Sequence, residues 1–127
     1  MLNFSNHSIK NWSSEQVNAS IKSESEWGEG TTPQDVKIPA NVDPNESWIG
    51  IKSIANQIVN DLGTIHHHTA MVMTETSLTI AFIERLRLAG IKCFVATTNR
   101  EMVETVKPDG TVVKTAIFKF VQFRMIG

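Results

Sequence analysis

The sequence predicts an α/β fold: a Rossmann-like, mostly parallel sheet flanked by helices, with a C-terminal antiparallel β-hairpin. First, short apolar segments alternate with helical patterns, which is typical of parallel α/β sheets. Second, the chain ends in two strand-like runs around a turn. Third, its 127 residues suffice for one hydrophobic core. We therefore expect one domain, 1–127, with parallel strands at 2–5, 36–38, 69–73 and 91–96.

Capping and spacing signals predict three helices between these strands. Ser13 followed by Gln16 forms a capping box at the start of the first helix. Asp43, followed by proline, predicts the N-cap of the second. A third apolar repeat covers 78–89, and Gly90 is a typical stop after it. Each helix therefore connects two strands of the predicted sheet.

Two further segments lie outside this alternation. Residues 22–34 are polar and aperiodic, which predicts an exposed loop. Trp27 either packs on the body, which the tendency of large aromatic residues to bury favours, or covers a pocket. The tail predicts a hairpin whose strands, 101–106 and 112–126, flank a Pro-Asp-Gly turn. Its second strand carries more apolar surface than an edge strand normally exposes. We therefore expect a helix or a second subunit to cover the hairpin.

Composition excludes several function classes. A net charge of −1 argues against a duplex nucleic acid partner, since such proteins normally carry a basic excess. The single cysteine, Cys93, gives no disulfide framework. No segment resembles a signal peptide or a membrane span, so we expect a cytoplasmic protein without a membrane partner.

Metal and cofactor signatures are weak. The run His66-His67-His68 does not predict a metal site, because adjacent strand residues point to opposite faces and no carboxylate or cysteine lies at ligand spacing. The chain has no glycine-rich dinucleotide or phosphate loop and no nucleophile elbow. We therefore predict no metal and no cofactor, and we disfavour dinucleotide oxidoreductases, NTPases and α/β hydrolases.

Three polar clusters follow predicted parallel strands. In open α/β sheets, ligands bind beyond the carboxyl ends of the strands, where helix N-termini point their amides outward. The same residue types are also preferred as caps and turns, so each cluster taken alone has a structural explanation. The clusters nevertheless predict a binding site at one sheet edge, with these candidates: Ser5, Asn6 and His7; Thr74, Glu75, Thr76 and Ser77; Thr97, Thr98, Asn99 and Arg100.

Three of these residues are candidate catalytic groups. His7 suits a general base or a phosphate hydrogen-bond donor, or it is simply an exposed histidine. Glu75 suits a general acid or base or a ribose ligand, or it is a first-turn acid favoured by the helix dipole. Arg100 suits a phosphate clamp, or a surface ion pair with a neighbouring glutamate.

Several motifs resemble one known family. They are Leu-Asn-Phe-Ser-Asn-His at the start, Trp12 before Gln16, Val-Asp-Pro at 42–44, Val-Met-Thr-Glu at 72–75, Thr-Thr-Asn-Arg at 97–100 and Phe-Lys-Phe-Val-Gln-Phe-Arg at 118–124. Together they resemble the minimal single-domain members of the CRISPR-associated Rossmann-fold (CARF) proteins, across nearly the whole chain except 22–34. Two positions depart from the family pattern: Thr74 stands where a glycine is expected, and no aromatic residue follows Arg124.

The resemblance implies a homodimer that binds a cyclic oligoadenylate messenger of type III CRISPR defence. It also implies cleavage of that messenger without a metal, as a ring nuclease, by attack of a ribose 2′-hydroxyl on the neighbouring phosphate. An isologous two-fold dimer suits a ligand with rotational symmetry. Two alternatives remain open: a protein that binds the messenger without cutting it, and an unrelated α/β accessory protein whose sheet edge binds a nucleotide or a protein.

Overall fold

A five-stranded sheet organises the chain in the computed structural model, which describes residues 1–127. The strand order is β2-β1-β3-β4-β5; neighbours are parallel except for β4 and β5, which are antiparallel. This confirms the predicted fold class. In chain order the elements are β1 (Leu2–Ser5), a 3₁₀ turn (Ile9–Asn11), α1 (Ser14–Ser25), β2 (Gln34–Asp35), α2 (Trp48–Asp61), β3 (Thr69–Met73), α3 (Thr76–Leu88), β4 (Lys92–Val106) and β5 (Val112–Ile126).

The sheet separates two apolar clusters. Because strand side chains alternate between faces, Val72 packs into the larger cluster with α2 and α3, whereas Met71 packs into the smaller one beside Trp12. The rings of Phe4 and Phe82 lie 4.9 Å apart in the larger cluster. α2 and α3 therefore cover one face, and α1 covers the other. No helix combines the length and the apolar character needed to cross a membrane.

Local capping signals place α1 correctly but not α2. The Ser13 hydroxyl accepts a 3.1 Å hydrogen bond from the Gln16 amide, as the capping box predicts. α2 begins at Trp48 with Ser47 as its N-cap, so the start predicted at Asp43 is wrong. The Asp43 carboxylate instead accepts from the Asn45 amide at 2.9 Å, which closes a local turn.

Two predicted boundaries shift around the first crossover. α1 continues to Ser25, so 22–25 are helical rather than part of the predicted loop. β2 comprises Gln34–Asp35 and not the predicted 36–38; Val36 follows the strand, donates to the Asn3 carbonyl at 3.0 Å and packs into the core. Trp27 is partly buried, and its ring meets Phe94 edge-on at 6.1 Å, as the packing interpretation predicts.

β4 differs most from the prediction. The strand predicted at 91–96 and the first hairpin strand predicted at 101–106 are one continuous strand. Residues 97–101 pair with β5 throughout, so they do not form a loop at a strand's carboxyl end. The antiparallel ladder satisfies their backbone groups, and this outweighs the turn preference of Asn99.

A β-bulge shapes the aromatic face of β5. Thr97 pairs with Gln122 and Thr98 pairs with Phe120, which leaves Val121 as an extra residue. In a regular strand, Phe120 and Phe123 would point to opposite faces because they are three residues apart. The extra residue places both rings on the α1 face, 4.9 Å apart, and Phe123 also packs on Trp12.

A buried carboxylate ties α1 to the start of two strands. Glu24 is 1% exposed, and its Oε1 accepts a 3.0 Å hydrogen bond from the Met1 ammonium. The same carboxylate accepts from the His68 amide at 2.8 Å and from the Thr69 amide and hydroxyl at 3.2 and 2.9 Å. Four donors therefore compensate the burial of this charge.

This cluster predicts an acid-sensitive fold. Burial raises the pKa of Glu24, but the hydrogen bonds from the ammonium, His68 and Thr69 outweigh it, and the net pKa lies below the ordinary 4.5. A folded-state pKa below the unfolded value stabilises the protein above pH 4.5, and this stability is lost as the pH falls through the folded-state pKa. Urea unfolding between pH 7 and pH 3 should show this decline, and Glu24→Ala should flatten it. Parallel profiles for the two proteins would contradict the assignment.

Candidate functional site

A cleft of about 690 Å³ opens at the carboxyl ends of β1 and β3, on the α1 side of the sheet. The chain runs from β1 to β2 on one side and returns to β3 on the other, so the strand order reverses between β1 and β3. Ligands of open α/β sheets bind at this kind of switch point. The volume lies within the range of small-molecule sites.

The lining of the cleft combines a polar wall with an apolar one. Its polar side chains come from the loop after β1, from the start of α1 and from β4: Ser5, Asn6, His7, Asn11, Ser13, Gln16 and Thr98. Its apolar side chains come from β3, β4 and β5: Met71, Met73, Ala96, Phe118 and Phe120. Such a lining suits a ligand with flat aromatic groups and several hydrogen-bonding oxygens.

His7 is the only residue with an ionisable side chain among those that line the cleft. Its side chain is exposed, while its backbone is held from two directions. The His7 carbonyl accepts hydrogen bonds from the Asn3 amide group at 2.9 Å and from the Trp12 indole at 3.1 Å. The His7 amide donates to Ser5 Oγ at 3.2 Å. The loop therefore presents the imidazole from a fixed backbone.

The side chains of Asn3 in β1 and Asp35 in β2 hold this loop in place through hydrogen bonds. Asn3 is fully buried; its amide also donates to Asp35 Oδ1 at 2.9 Å, and its Oδ1 accepts from Ser5 Oγ at 2.6 Å. Asp35 in turn accepts from Ser8 Oγ and from the Ile9 amide, at 2.9 and 3.1 Å. The strand pair β1–β2 thus positions the β1 loop through side chains as well as backbone.

The hydrogen bonds of this network stabilise the ionised form of Asp35. Burial raises the pKa of its carboxyl group, but hydrogen bonds from Asn3, Ile9 and Ser8, together with the charge of Lys10, bring the pKa below its ordinary 3.8. Asp35 therefore stays ionised and keeps its hydrogen-bond acceptors. Sequence reasoning missed both Asn3 and Asp35. The one available signal was an asparagine inside the apolar segment 2–4.

The structure brings part of the predicted site together. Ser5, Asn6, His7 and Thr98 line one cleft, so the segments after β1 and within β4 converge. The cluster after β3 does not reach it: among β3 residues Met71 and Met73 line the cleft, whereas the following polar residues do not. The predicted residues outside the lining are Thr74, Glu75, Thr76, Ser77, Thr97, Asn99 and Arg100.

Glu75 serves as the N-cap of α3. Its carboxylate accepts hydrogen bonds from the Ser77 and Leu78 amides, both at 3.0 Å, and from the Ser77 hydroxyl. The Ser77 hydroxyl and these two amides lower the pKa of Glu75. The ionised carboxylate therefore occupies the helix N-terminus itself, and the Ser77 and Leu78 amides already have an acceptor. Thr74 is engaged locally too, since its amide donates to Thr79 Oγ1 at 3.0 Å.

Residues of the third cluster face in two directions. Thr97 Oγ1 donates to the Gln122 carbonyl at 3.0 Å and accepts from its amide at 3.2 Å, so Thr97 closes the bulge. Arg100 pairs with Phe118 across the β4–β5 ladder, which places both side chains on the face that carries the cleft. The neighbouring glutamates pair with lysines instead, Glu101 with Lys119 and Glu104 with Lys114, so Arg100 makes no ion pair.

The three adjacent histidines lie at the amino end of β3, away from the cleft. His66 and His67 line a small hollow beside Leu62, and the imidazole of His67 lies 3.4 Å from the Thr32 carbonyl. Burial, followed by the positive charge of the Met1 ammonium, lowers the pKa of His67. No group of three or more His, Cys, Asp or Glu residues is arranged to hold a metal ion.

Comparison with known proteins identifies a family without assigning a function. A family model described as the uncharacterized protein MJ1673 family matches residues 1–124, so the chain belongs to that family. No curated protein and no solved structure matches the chain. The function is therefore argued from the cleft.

Proposed function

We propose that this member of the MJ1673 family binds a cyclic oligoadenylate, with cyclic tetra-adenylate as the first candidate, in the cleft at the switch point. The observation that carries the proposal is the lining of the cleft: hydroxyl and amide groups on one wall face two phenylalanines on the other. The resemblance of the chain to the CARF proteins supports the same ligand class.

Each wall has a role in this proposal. Phe118 and Phe120 provide surfaces on which adenine rings stack. Ser5, Asn6 and Asn11 offer hydrogen bonds to ribose and phosphate oxygens. The start of α1 borders the cleft through Ser13 and adds the positive end of a helix dipole. The lining carries no lysine or arginine, so hydrogen-bond donors and the helix dipole would neutralise the phosphate charges.

Cleavage follows from positioning rather than from a metal. A ribose 2′-hydroxyl held in line with its neighbouring phosphorus attacks it, the bond to the 5′-oxygen breaks, and a 2′,3′-cyclic phosphate forms. His7 accepts the proton of the attacking hydroxyl, and water supplies a proton to the leaving oxygen. A homodimer with a two-fold axis would present one cleft to each half of the ring. The proposal places the protein in the cytoplasm, where such a messenger acts.

A specific observation favours a second candidate, binding without cleavage. Of the three residues predicted to be catalytic, only His7 lines the cleft, while Glu75 caps α3 and Arg100 lies further along β4. A protein that sequesters the messenger needs the stacking surfaces and the polar wall but no general base. Binding and cleavage are therefore measured separately.

Replacing His7 tests the reaction. With cyclic tetra-adenylate and EDTA, the wild type should convert the ring to linear products, and His7→Ala should slow conversion by about 10²-fold or more, the contribution of a general base. His66→Ala is the matched control, because His66 is an exposed histidine at the opposite end of β3. Chromatography of the products measures cleavage, and calorimetry measures binding.

Four outcomes separate the candidates. Cleavage lost in His7→Ala and kept in His66→Ala supports the ring nuclease. Tight binding with the ring intact after many hours at stoichiometric protein supports the sequestering protein. Equal cleavage by both variants removes His7 from the reaction. No heat of binding with any cyclic oligoadenylate overturns the ligand class.

A further inference from the structure

Residues 98–106 of β4 and 112–120 of β5 form a two-stranded ribbon that extends beyond β3. The β4 side of this ribbon is an open strand edge. β3 pairs with β4 only through residues 92–94, and from 98 to 106 β4 pairs with β5 alone. Large apolar side chains are exposed along this part of the ribbon, including Met102 at 55%, Phe118 at 65% and Val106 at 68%. Trp12, which precedes α1, packs on Phe123 at the base of the ribbon. The free edge is therefore available for pairing.

Hydrogen bonding at the turn fixes which backbone groups face this edge. The Lys107 amide donates to the Thr111 carbonyl at 2.8 Å, so these residues form a hydrogen-bonded pair. Antiparallel ladders alternate between hydrogen-bonded and non-hydrogen-bonded pairs, so Val106 and every second residue before it direct their N–H and C=O away from β5. The residues with outward backbone groups are Thr98, Arg100, Met102, Glu104 and Val106.

The two edges of the ribbon differ in chemistry. β5, the outer edge, carries Lys114, Lys119 and Arg124, and basic residues of this kind discourage edge pairing. Between 98 and 106, β4 has no lysine and no proline, and its outward-paired residues include one cation, Arg100, and one anion, Glu104. These two are four residues apart, with Met102 midway between them.

We propose that a second copy of this chain pairs antiparallel with this β4 edge, about a two-fold axis at Met102. In this register Arg100 lies opposite the partner's Glu104, and Glu104 lies opposite the partner's Arg100. An axis at Arg100 or at Glu104 would instead place like charges opposite each other, which is destabilising. Met102 meets its own copy at the centre, so the register also buries the exposed thioether.

This interface gives Arg100 a partner that its own chain does not provide. It joins two ribbons into a four-stranded sheet, β5-β4 followed by the partner's β4-β5, whose α1-side face carries Phe118 and Phe120 from both copies. Thr98, which lines the cleft, lies opposite the partner's Val106. The interface thus specifies the surface of the proposed homodimer, and it holds whatever the cleft binds.

Charge exchange tests the register. Multi-angle light scattering and sedimentation should show a wild-type dimer at micromolar concentration. Each of the single variants Arg100→Glu and Glu104→Arg places like charges opposite each other at both symmetry-related positions of the interface. Each should therefore raise the dissociation constant of the dimer about tenfold or more. The double variant restores opposite charges in the same register and should return the dissociation constant to within about threefold of the wild type.

Two further variants distinguish loss of dimerisation from loss of folding. Glu101→Arg is the matched control: Glu101 lies on the other face of the same strand and pairs with Lys119, so dimerisation should be unchanged. Met102→Pro removes an amide that only the partner uses, and it should give a monomer with the circular dichroism of the wild type. A wild-type monomer at about 100 μM, or a double variant no better than the single ones, overturns the proposal.

Discussion

Glu24→Ala should destabilise the protein by about 3–5 kcal/mol, the cost of removing one partner from a buried ion pair. The carboxylate is almost fully buried and accepts from the Met1 ammonium at 3.0 Å. Its removal also leaves the His68 and Thr69 amides without their acceptor. Since domains of this size are stable by about 5–15 kcal/mol, the loss should be visible as a large drop in the urea midpoint.

Glu26→Gln is the matched control for this prediction. Glu26 lies two residues away at the end of α1, and its side chain is exposed. A surface change of this kind should alter the free energy of unfolding by no more than about 0.5 kcal/mol. Similar losses for the two variants would show that Glu24 contributes no more than an exposed charge, contrary to its position.

Local signals predicted those parts of the fold that depend on neighbouring residues. The capping box at Ser13 sets the start of α1, and Gly90, with a φ of 78°, ends the turn after α3. The sequence predicts two strands, 91–96 and 101–106, in place of β4, with the polar cluster of Thr97, Thr98, Asn99 and Arg100 between them. The extended conformation of Asn99 and Arg100 depends on pairing with Lys119 and Phe118, a contact that no local pattern reveals.

The site was predictable to the extent that it follows from strand order. The rule that ligands bind at carboxyl strand ends predicts the loop of Ser5, Asn6 and His7 as part of a site, and these three residues line the cleft. Glu75, which the same rule also selects, caps α3 and lies outside the cleft lining, because a glutamate before a helix is equally suited to cap it. The role of Glu24 could not be predicted from local sequence. Its amide partners lie 44 and 45 residues away along the chain, so its burial depends on the tertiary fold.

Asn3→Ala should loosen the loop that carries His7. Asn3 holds three partners at once, the His7 carbonyl, Asp35 and Ser5, at 2.9, 2.9 and 2.6 Å. Removing a buried hydrogen-bonding side chain costs about 1–3 kcal/mol, and here the loss falls on one loop. We expect a lower urea midpoint together with at least about tenfold faster hydrogen exchange in a peptide covering 5–12, because local opening becomes easier.

Asn18→Ala distinguishes this local effect from a general loss of stability. Asn18 is an exposed asparagine on α1, so its removal should leave both the midpoint and the exchange of 5–12 unchanged. If Asn3→Ala lowered the midpoint but accelerated exchange equally across β3 and α3, Asn3 would be a general core residue. Exchange confined to 5–12 would instead show that a buried amide in β1 fixes the loop through the His7 carbonyl. Because the imidazole extends from that same backbone, the position of His7 in the cleft would then depend on Asn3, a residue that does not line the cleft.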